Sequence, residues 1–197
     1  IIVTRGEGAL GIDPRTCAQP NCIIITQELQ MISDEARAAG AKLIIASTRR
    51  LSPAGLDPRI KSLNYLNHIM AKMEANAVGA DEAILLNEQG FISEGSADNI
   101  FIVKNGVLLT PPVTDGALDG ITRKTILDLA AKLNIPTQQQ SLASYDLFTA
   151  DECFLTGTGA ELIPVSFISG REISKQRVVF SKLNQAFQNL VAGLLNT

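Results

Sequence analysis

The sequence predicts an α+β fold, and three observations carry the prediction. Short isoleucine-rich segments bounded by polar residues, N-C-I-I-I-T at 21–26 and A-K-L-I-I-A-S at 41–47, have the form of buried strands. Asn105-Gly106, set between two apolar runs at 99–103 and 107–110, is the strongest short-range signal for a β-hairpin. Blocks at helical spacing also recur, but strands and helices mix without a regular βαβ rhythm. That excludes a doubly wound sheet.

Taken in order, residues 1–4 read as a strand, followed by a glycine-punctuated loop from Gly6 to Pro14. Residues 33–38 suit a short helix with Ser33 or Asp34 as its cap and Gly40 as its stop. Residues 48–60 contain two prolines and a glycine, a loop that delivers Lys61. Leu63, Leu66, Met70, Met73 and Ala77 then fall at spacings of three and four, one face of a helix ending at Gly79. A stripe of this kind is expected to be core. Strands follow at 82–87 and 91–94, around Glu88-Gln89-Gly90. Ile126, Leu129, Ala130 and Leu133 define a second amphipathic helix, opened by Gly120-Ile121-Thr122. The remainder reads as a short helix at 144–150, a buried strand at 152–156, a hairpin near Gly170 and a helix at 180–195.

The 197 residues suffice for one large core, or one domain plus part of another. Apolar residues make up 46% and charged residues 19%, a globular balance. A net charge of −3 without a Lys/Arg run gives nothing to attract nucleic acid or an anionic membrane. The apolar runs are too short to span a bilayer, and no signal peptide is legible. Cys17, Cys22 and Cys153 are an odd set with no metal-ligand spacing. Free thiols in a reducing, cytoplasmic compartment are expected. The first residues, Ile-Ile-Val-Thr-Arg-Gly, start in mid-strand without a methionine, and the sequence reads as a piece of something longer.

Chemistry concentrates between Lys61 and Glu94. An ordinary lysine is exposed, protonated and a poor nucleophile. One at the end of a buried segment, beside a dry helix start, has its pKa drawn down and forms imines. Glu94 ends a strand in I-S-E-G; its ordinary reading is a solvated carboxylate, which Ile92, Gly95 and the following N-I-F oppose. Asp98 is either a turn carboxylate or the partner of an anion-binding arginine. Gly120-Ile121-Thr122 opens a helix, where free N–H groups and the dipole favour an anion. Thr156-Gly157-Thr158-Gly159-Ala160 offers a second glycine-rich turn with hydroxyls, although such turns are mostly structural. His68 is the single histidine, lies off the apolar stripe and reads as structural or exposed. One histidine builds neither a Ser-His-Asp set nor a metal cluster.

I-K-S-L-N-Y-L, I-S-E-G-S-A-D-N-I-F, G-I-T-R and G-T-G-A-E-L-I-P-V, in that order, resemble class IV (fold-type IV) aminotransferases of the branched-chain amino acid branch. The resemblance covers nearly the whole chain. It implies that residues 1–17 are the last strand and loop of a small domain otherwise absent from this sequence. Residues 18–197 then form the large domain, which binds pyridoxal 5'-phosphate. Lys61 corresponds to the Schiff-base lysine, and Tyr65 to the tyrosine that bonds the cofactor's phenolic oxygen. In many members that tyrosine lies one residue further on. Glu94 corresponds to the partner of the pyridine nitrogen, Leu118 to the leucine packed on the ring, and Ile121, Thr122 and Thr158 to the phosphate contacts. Leu10 and Ile12 would line a neighbouring subunit's pocket in a homodimer, with Gly157, Gly159 and Ala160 on the substrate side. The implied reaction passes the amino group of Leu, Ile or Val to 2-oxoglutarate, with Lys61 as base and acid. A D-amino acid aminotransferase is the nearest alternative; its loop carries arginine and histidine where this chain has Glu7-Gly8-Ala9-Leu10-Gly11-Ile12. An aminodeoxychorismate lyase-like enzyme and a non-catalytic fragment are the others. Near the end, residues 171–177 replace a longer glycine- and proline-containing turn of the family, so local geometry should differ there.

Overall fold

The computed structural model describes residues 1–27, 34–173 and 176–195. The chain divides into two compact units, Ile1–Gln30 and Met31–Thr197. In the first, β1 (Ile2–Thr4) pairs antiparallel with β2 (Asn21–Ile23), Val3 opposite Cys22. The strand expected at 21–26 is shorter than the sequence suggests, and it is not buried. Ile23, Ile24 and Ile25 are 47%, 68% and 64% exposed, because a two-stranded ribbon has no second layer in its own unit.

The second unit opens with α1 (Asp34–Ala39); the alternative cap Ser33 lies outside the described residues. There follow β3 (Ala41–Arg49), α2 (Leu66–Ala77), β4 (Glu82–Leu86), β5 (Ile92–Gly95), β6 (Asn99–Lys104) and β7 (Val107–Thr110). Then come α3 (Ile121–Lys132), β8 (Thr137–Gln139), α4 (Ser144–Phe148), β9 (Glu152–Gly157), β10 (Glu161–Ile168), β11 (Arg171–Glu172) and α5 (Val178–Leu195). Among the described residues the strands form one nine-stranded sheet in the order β5-β4-β3-β10-β9-β6-β7-β8, with β11 on β10. β3 runs parallel to β4 and β10, and β7 to β8, while the other pairs are antiparallel, so the fold is α+β as expected. Asn105 and Gly106 take φ of 49° and 76°, the two left-handed positions that a tight hairpin requires.

β10 is the strand the sequence conceals. Residues 161–164 pair with β9 and residues 165–168 with β3, and the handover falls at Pro164, which has no N–H to donate. Both sheet faces are covered, which is why β4 and β6 are apolar without alternation. Ile100, Ile102, Cys153 and Leu155 point into one core. Phe101, Val103 and Phe154 point into the other, against α3 and α5. There Phe101 and Phe154 stack at 5.2 Å, and Phe180 meets Phe154 edge-on at 5.5 Å.

The expected core stripe of α2 needs correction. Leu63 precedes the helix, and it, Leu66, Met70 and Met73 are 73%, 71%, 51% and 63% exposed; Ala77 is exposed as well. The buried face is Ala71 and Ala75, packed on Ala46, Ala83 and Leu85. Small residues let the helix approach the sheet, and polar bonds fix its position. Glu74 accepts from the backbone N–H and hydroxyl of both Ser47 and Thr48, at 2.6–2.9 Å. Asn67 donates to the Arg49 carbonyl at 2.8 Å. Among the described residues, no helix is long and apolar enough to cross a membrane.

Candidate active site

The end of β3, the segment leading into α2, the end of β5, the start of α3 and the end of β9 meet around two adjoining hollows. Lys61 lies in that segment, and Tyr65 stands at the N-cap of α2. Tyr65 makes no capping bond with its side chain, so its hydroxyl is free to receive Lys61 Nζ at 2.9 Å. Lys61 is exposed, so the enclosed, dry setting anticipated for it is not what the chain forms.

Glu94 lies opposite Leu85 at the end of the buried β5 and is 5% exposed. Its Oε1 pairs with the Arg50 guanidinium at 3.2 Å, both side chains being buried. Its Oε2 accepts from the Leu118 N–H at 2.9 Å and from Asn99 Nδ2 at 3.3 Å. A buried carboxylate is tolerated when its lone pairs are filled in this way. Arg50 is itself fixed by donating Nε to the Gly116 carbonyl at 3.0 Å. His68 Nε2 lies 3.9 Å from Glu94 Oε1, and its ring packs on Tyr65 with centroids 5.0 Å apart. The histidine is therefore half-buried beside the site, where its sequence reading gave it no part.

Lys61, Ala97 and Leu118 border two adjoining hollows. One reaches Glu94, Arg50 and His68. The other, about 260 Å³, is lined by Gly120, Ile121 and Thr122 at the start of α3 and by Thr156, Gly157 and Thr158 at the end of β9. A group entering there with Lys61 at its middle would have the buried carboxylate at one end and the helix start at the other. The first N–H groups of α3 have no partner within the helix and face an anion favourably. A Cβ at Gly120 or Gly157 would fall 2.1 Å from Asn99 Oδ1 or 2.3 Å from Asp98 Oδ1, so these side chains would have to shift to admit one. Thr156 is 1% exposed, and its Oγ1 is buried without a hydrogen-bond partner. A buried hydroxyl in that state is what a polar ligand would satisfy. The residues present therefore fit pyridoxal 5'-phosphate, with an amine, a ring-nitrogen carboxylate and an anion cradle in line.

The expected site residues differ in depth. Thr122 is buried, Leu118 and Gly157 are half-buried, and Ile121, Thr158 and Gly159 are exposed. Ala160 is 2% exposed, belongs to the core and borders a separate cavity with Lys72, Glu82 and Asp98. In that cavity burial, reinforced by the Glu82 carboxylate, pushes the Asp98 carboxyl up to about 6. Leu10 and Ile12 belong to the first unit and are fully exposed. Sequence reasoning does not reach Arg50, and it has Thr156 only as part of a glycine-rich turn with hydroxyls. Nothing in T-R-R separates Arg50 from Arg49, because the difference lies in which one follows the last residue of β3.

The model of the amino-transferase class IV family matches residues 1–168. A Methanocaldococcus jannaschii protein, provisionally named a branched-chain-amino-acid aminotransferase, is 46% identical over 192 residues, 96% of this chain and 66% of its own. Among solved structures, the branched-chain aminotransferase of Thermoproteus uzoniensis with norvaline superposes with a TM-score of 0.76 at 42% identity, over 78% of this chain and 52% of that one. The branched-chain amino acid aminotransferase of Thermobaculum terrenum, in its PLP-bound holo form, gives a TM-score of 0.76 at 32% identity, over 80% and 53%. The chain thus spans about two thirds of that curated relative and about half of those solved chains.

Proposed function

The chain belongs to the class IV aminotransferases, and from that premise we propose that it serves pyridoxal-phosphate-dependent transfer of the amino group of Leu, Ile or Val to 2-oxoglutarate. The observation that carries the reading is the line from buried Glu94, through Lys61 and Tyr65, to the start of α3. The relatives' names support the branched-chain substrates. The cofactor, when bound, holds the substrate nitrogen covalently and draws electrons from the substrate's α-carbon. Everything else falls to the chain's own side chains. Lys61 Nζ would hold the cofactor and would move the proton at the substrate's α-carbon. Tyr65 Oη holds Nζ in place. Glu94, paired with Arg50, would hold a proton on the ring nitrogen, and Thr122, Thr158 and the α3 N–H groups would hold the phosphate. Leu118 supports the ring.

The same reading takes residues 1–17 as the end of a small domain and 18–197 as the large one. It also takes the enzyme as a homodimer with Leu10 and Ile12 serving the neighbour's substrate pocket, and places it in the cytoplasm, where three free thiols persist. The test uses the full-length protein with pyridoxal 5'-phosphate, reduced with borohydride and mapped by peptide mass. The label is expected on Lys61, with amino-group transfer from Leu, Ile or Val. A label on another lysine, or none, ends the reading.

A further inference from the structure

His68, in the first turn of α2, stands between the tyrosine that receives Lys61 and the Glu94 carboxylate. Its ring lies against Tyr65, 5.0 Å between centroids at 33°, and its Nε2 is 3.9 Å from Glu94 Oε1. The side chains of His68, Glu94 and Arg50 are 14%, 7% and 8% exposed, so the second unit encloses this arrangement by itself. A lone pair on Nε2 would face the lone pairs of the carboxylate and be repelled, so the ring turns its Nε2 hydrogen toward Glu94. Nδ1 is then the bare nitrogen. It is buried without a hydrogen-bond partner among the described residues, a state easier for a lone pair than for an N–H. At 3.9 Å the contact is longer than a hydrogen bond and acts through the N–H dipole, which a buried setting strengthens.

Donors aimed at Glu94 matter because of the proton it would share with a ring nitrogen. Its Oε1 takes Arg50, and its Oε2 takes the Leu118 N–H and Asn99 Nδ2. A carboxylate has about four lone-pair sites, so one is left for the ring nitrogen. The shared proton rests on whichever of the two groups is the more basic. Each donor aimed at the carboxylate favours its charged form and so leaves the proton on the nitrogen. Arg50 is the strong donor, and His68 adds a weaker one toward the same Oε1. The ring contact with Tyr65 limits rotation of the imidazole, which keeps Nε2 aimed at that oxygen.

We propose that His68 is a positioning residue for the proton between Glu94 and the cofactor's ring nitrogen: its Nε2–H, braced by Tyr65, keeps that proton on the nitrogen. The proposal rests on the cofactor reading and gives a task to the chain's single histidine, which lies outside the motifs that carry the family resemblance.

The experiment compares the full-length protein with its His68→Phe, His68→Gln and His68→Asn forms, each loaded with pyridoxal 5'-phosphate carrying nitrogen-15 in the ring. Phenylalanine keeps a ring against Tyr65 without the N–H. Glutamine extends an amide N–H to the reach of Nε2, and asparagine stops at that of Nδ1. Spectra are recorded at about pH 8, above the range in which nearby Asp98, raised to about 6, changes charge. In the natural protein the nitrogen-15 signal should be that of a protonated ring. In His68→Phe and His68→Asn it should move toward the unprotonated position. There kcat should fall about tenfold, the factor for one unit of pKa, with KM within about threefold. His68→Gln should recover most of both losses. A borohydride-fixed label on Lys61 shows which forms are folded and loaded; should His68→Phe take none, the Gln and Asn forms decide. Three results overturn the proposal while a Lys61 label leaves the cofactor reading standing. They are a ring nitrogen already unprotonated in the natural protein, one still protonated in the labelled Phe and Asn forms, and a Gln form no closer to natural than these. If the natural protein takes no label on Lys61, the cofactor reading fails and takes the proposal with it.

Discussion

Asp98 is a carboxylic acid whose surroundings disturb its chemistry strongly. Its carboxyl titrates at about 6 instead of 3.8, first because it is buried and second because the Glu82 carboxylate shares its cavity. Lys72 and Lys61 pull the other way without cancelling the shift. Between those two values the folded chain binds more protons than the unfolded one, so stability falls as pH rises through the window. Above about pH 6 the whole cost is present; below about 4 it is absent. Two units correspond to up to ~3 kcal/mol. Asp98→Asn should remove that slope, leaving urea stability between pH 4 and 7 flatter than in the natural protein. Identical pH profiles for the two would show that Asp98 ionises without penalty. Residues of this kind were only half legible. Lys61, Tyr65, Glu94 and the turn that starts at Thr156 carry recognisable local motifs, whereas Arg50 owes its position to strand ends that meet in space.

Among the elements, α2 shows how a periodic pattern can mislead. The spacing of Leu66, Met70 and Met73 is helical and the helix is there, but its inward face is Ala71 and Ala75. Hydrophobic periodicity reports that an apolar face exists and says nothing of what covers it. Close packing on β3 and β4 selects the small residues, and Glu74 locks the choice through Ser47 and Thr48. Ala75→Leu should therefore cost about 1–3 kcal/mol by overpacking a full interface. Ala77→Leu, on the exposed side of the same helix, should stay within ~0.5 kcal/mol. Chemical denaturation of the two variants decides; equal effects would mean that the helix does not seat on its alanine face.

At the scale of the whole molecule the open question is assembly. Leu10 and Ile12 are fully exposed in a glycine-rich loop, where a partner could cover them, although single exposed apolar residues are ordinary on a protein surface. If they serve a partner's pocket, subunits carrying Lys61→Ala and subunits carrying Leu10→Asp/Ile12→Asp should each be inactive alone. Once exchanged, mixed dimers should regain activity, because one site in each then combines an intact lysine with an intact loop. A dead mixture in which mixed dimers are shown to form would assign the loop to its own subunit.

The sequence by itself determined the elements and the chemistry that is written locally: the Asn105-Gly106 hairpin, the helix after Lys61, the helix start at Gly120, and the lysine and glutamate in their motifs. These depend on backbone preferences and on neighbours within a few positions, which a string of residues records. The tertiary structure alone decided which strand ends sit side by side. It split the pairing of β10 between β9 and β3 at Pro164, left Ile23, Ile24 and Ile25 uncovered, and turned α2 onto its alanines. It also brought Arg50 against Glu94, with α2 and β4 between them in the sequence. Such contacts are set by packing and by the need to neutralise a buried charge, and both depend on groups that lie far apart along the chain.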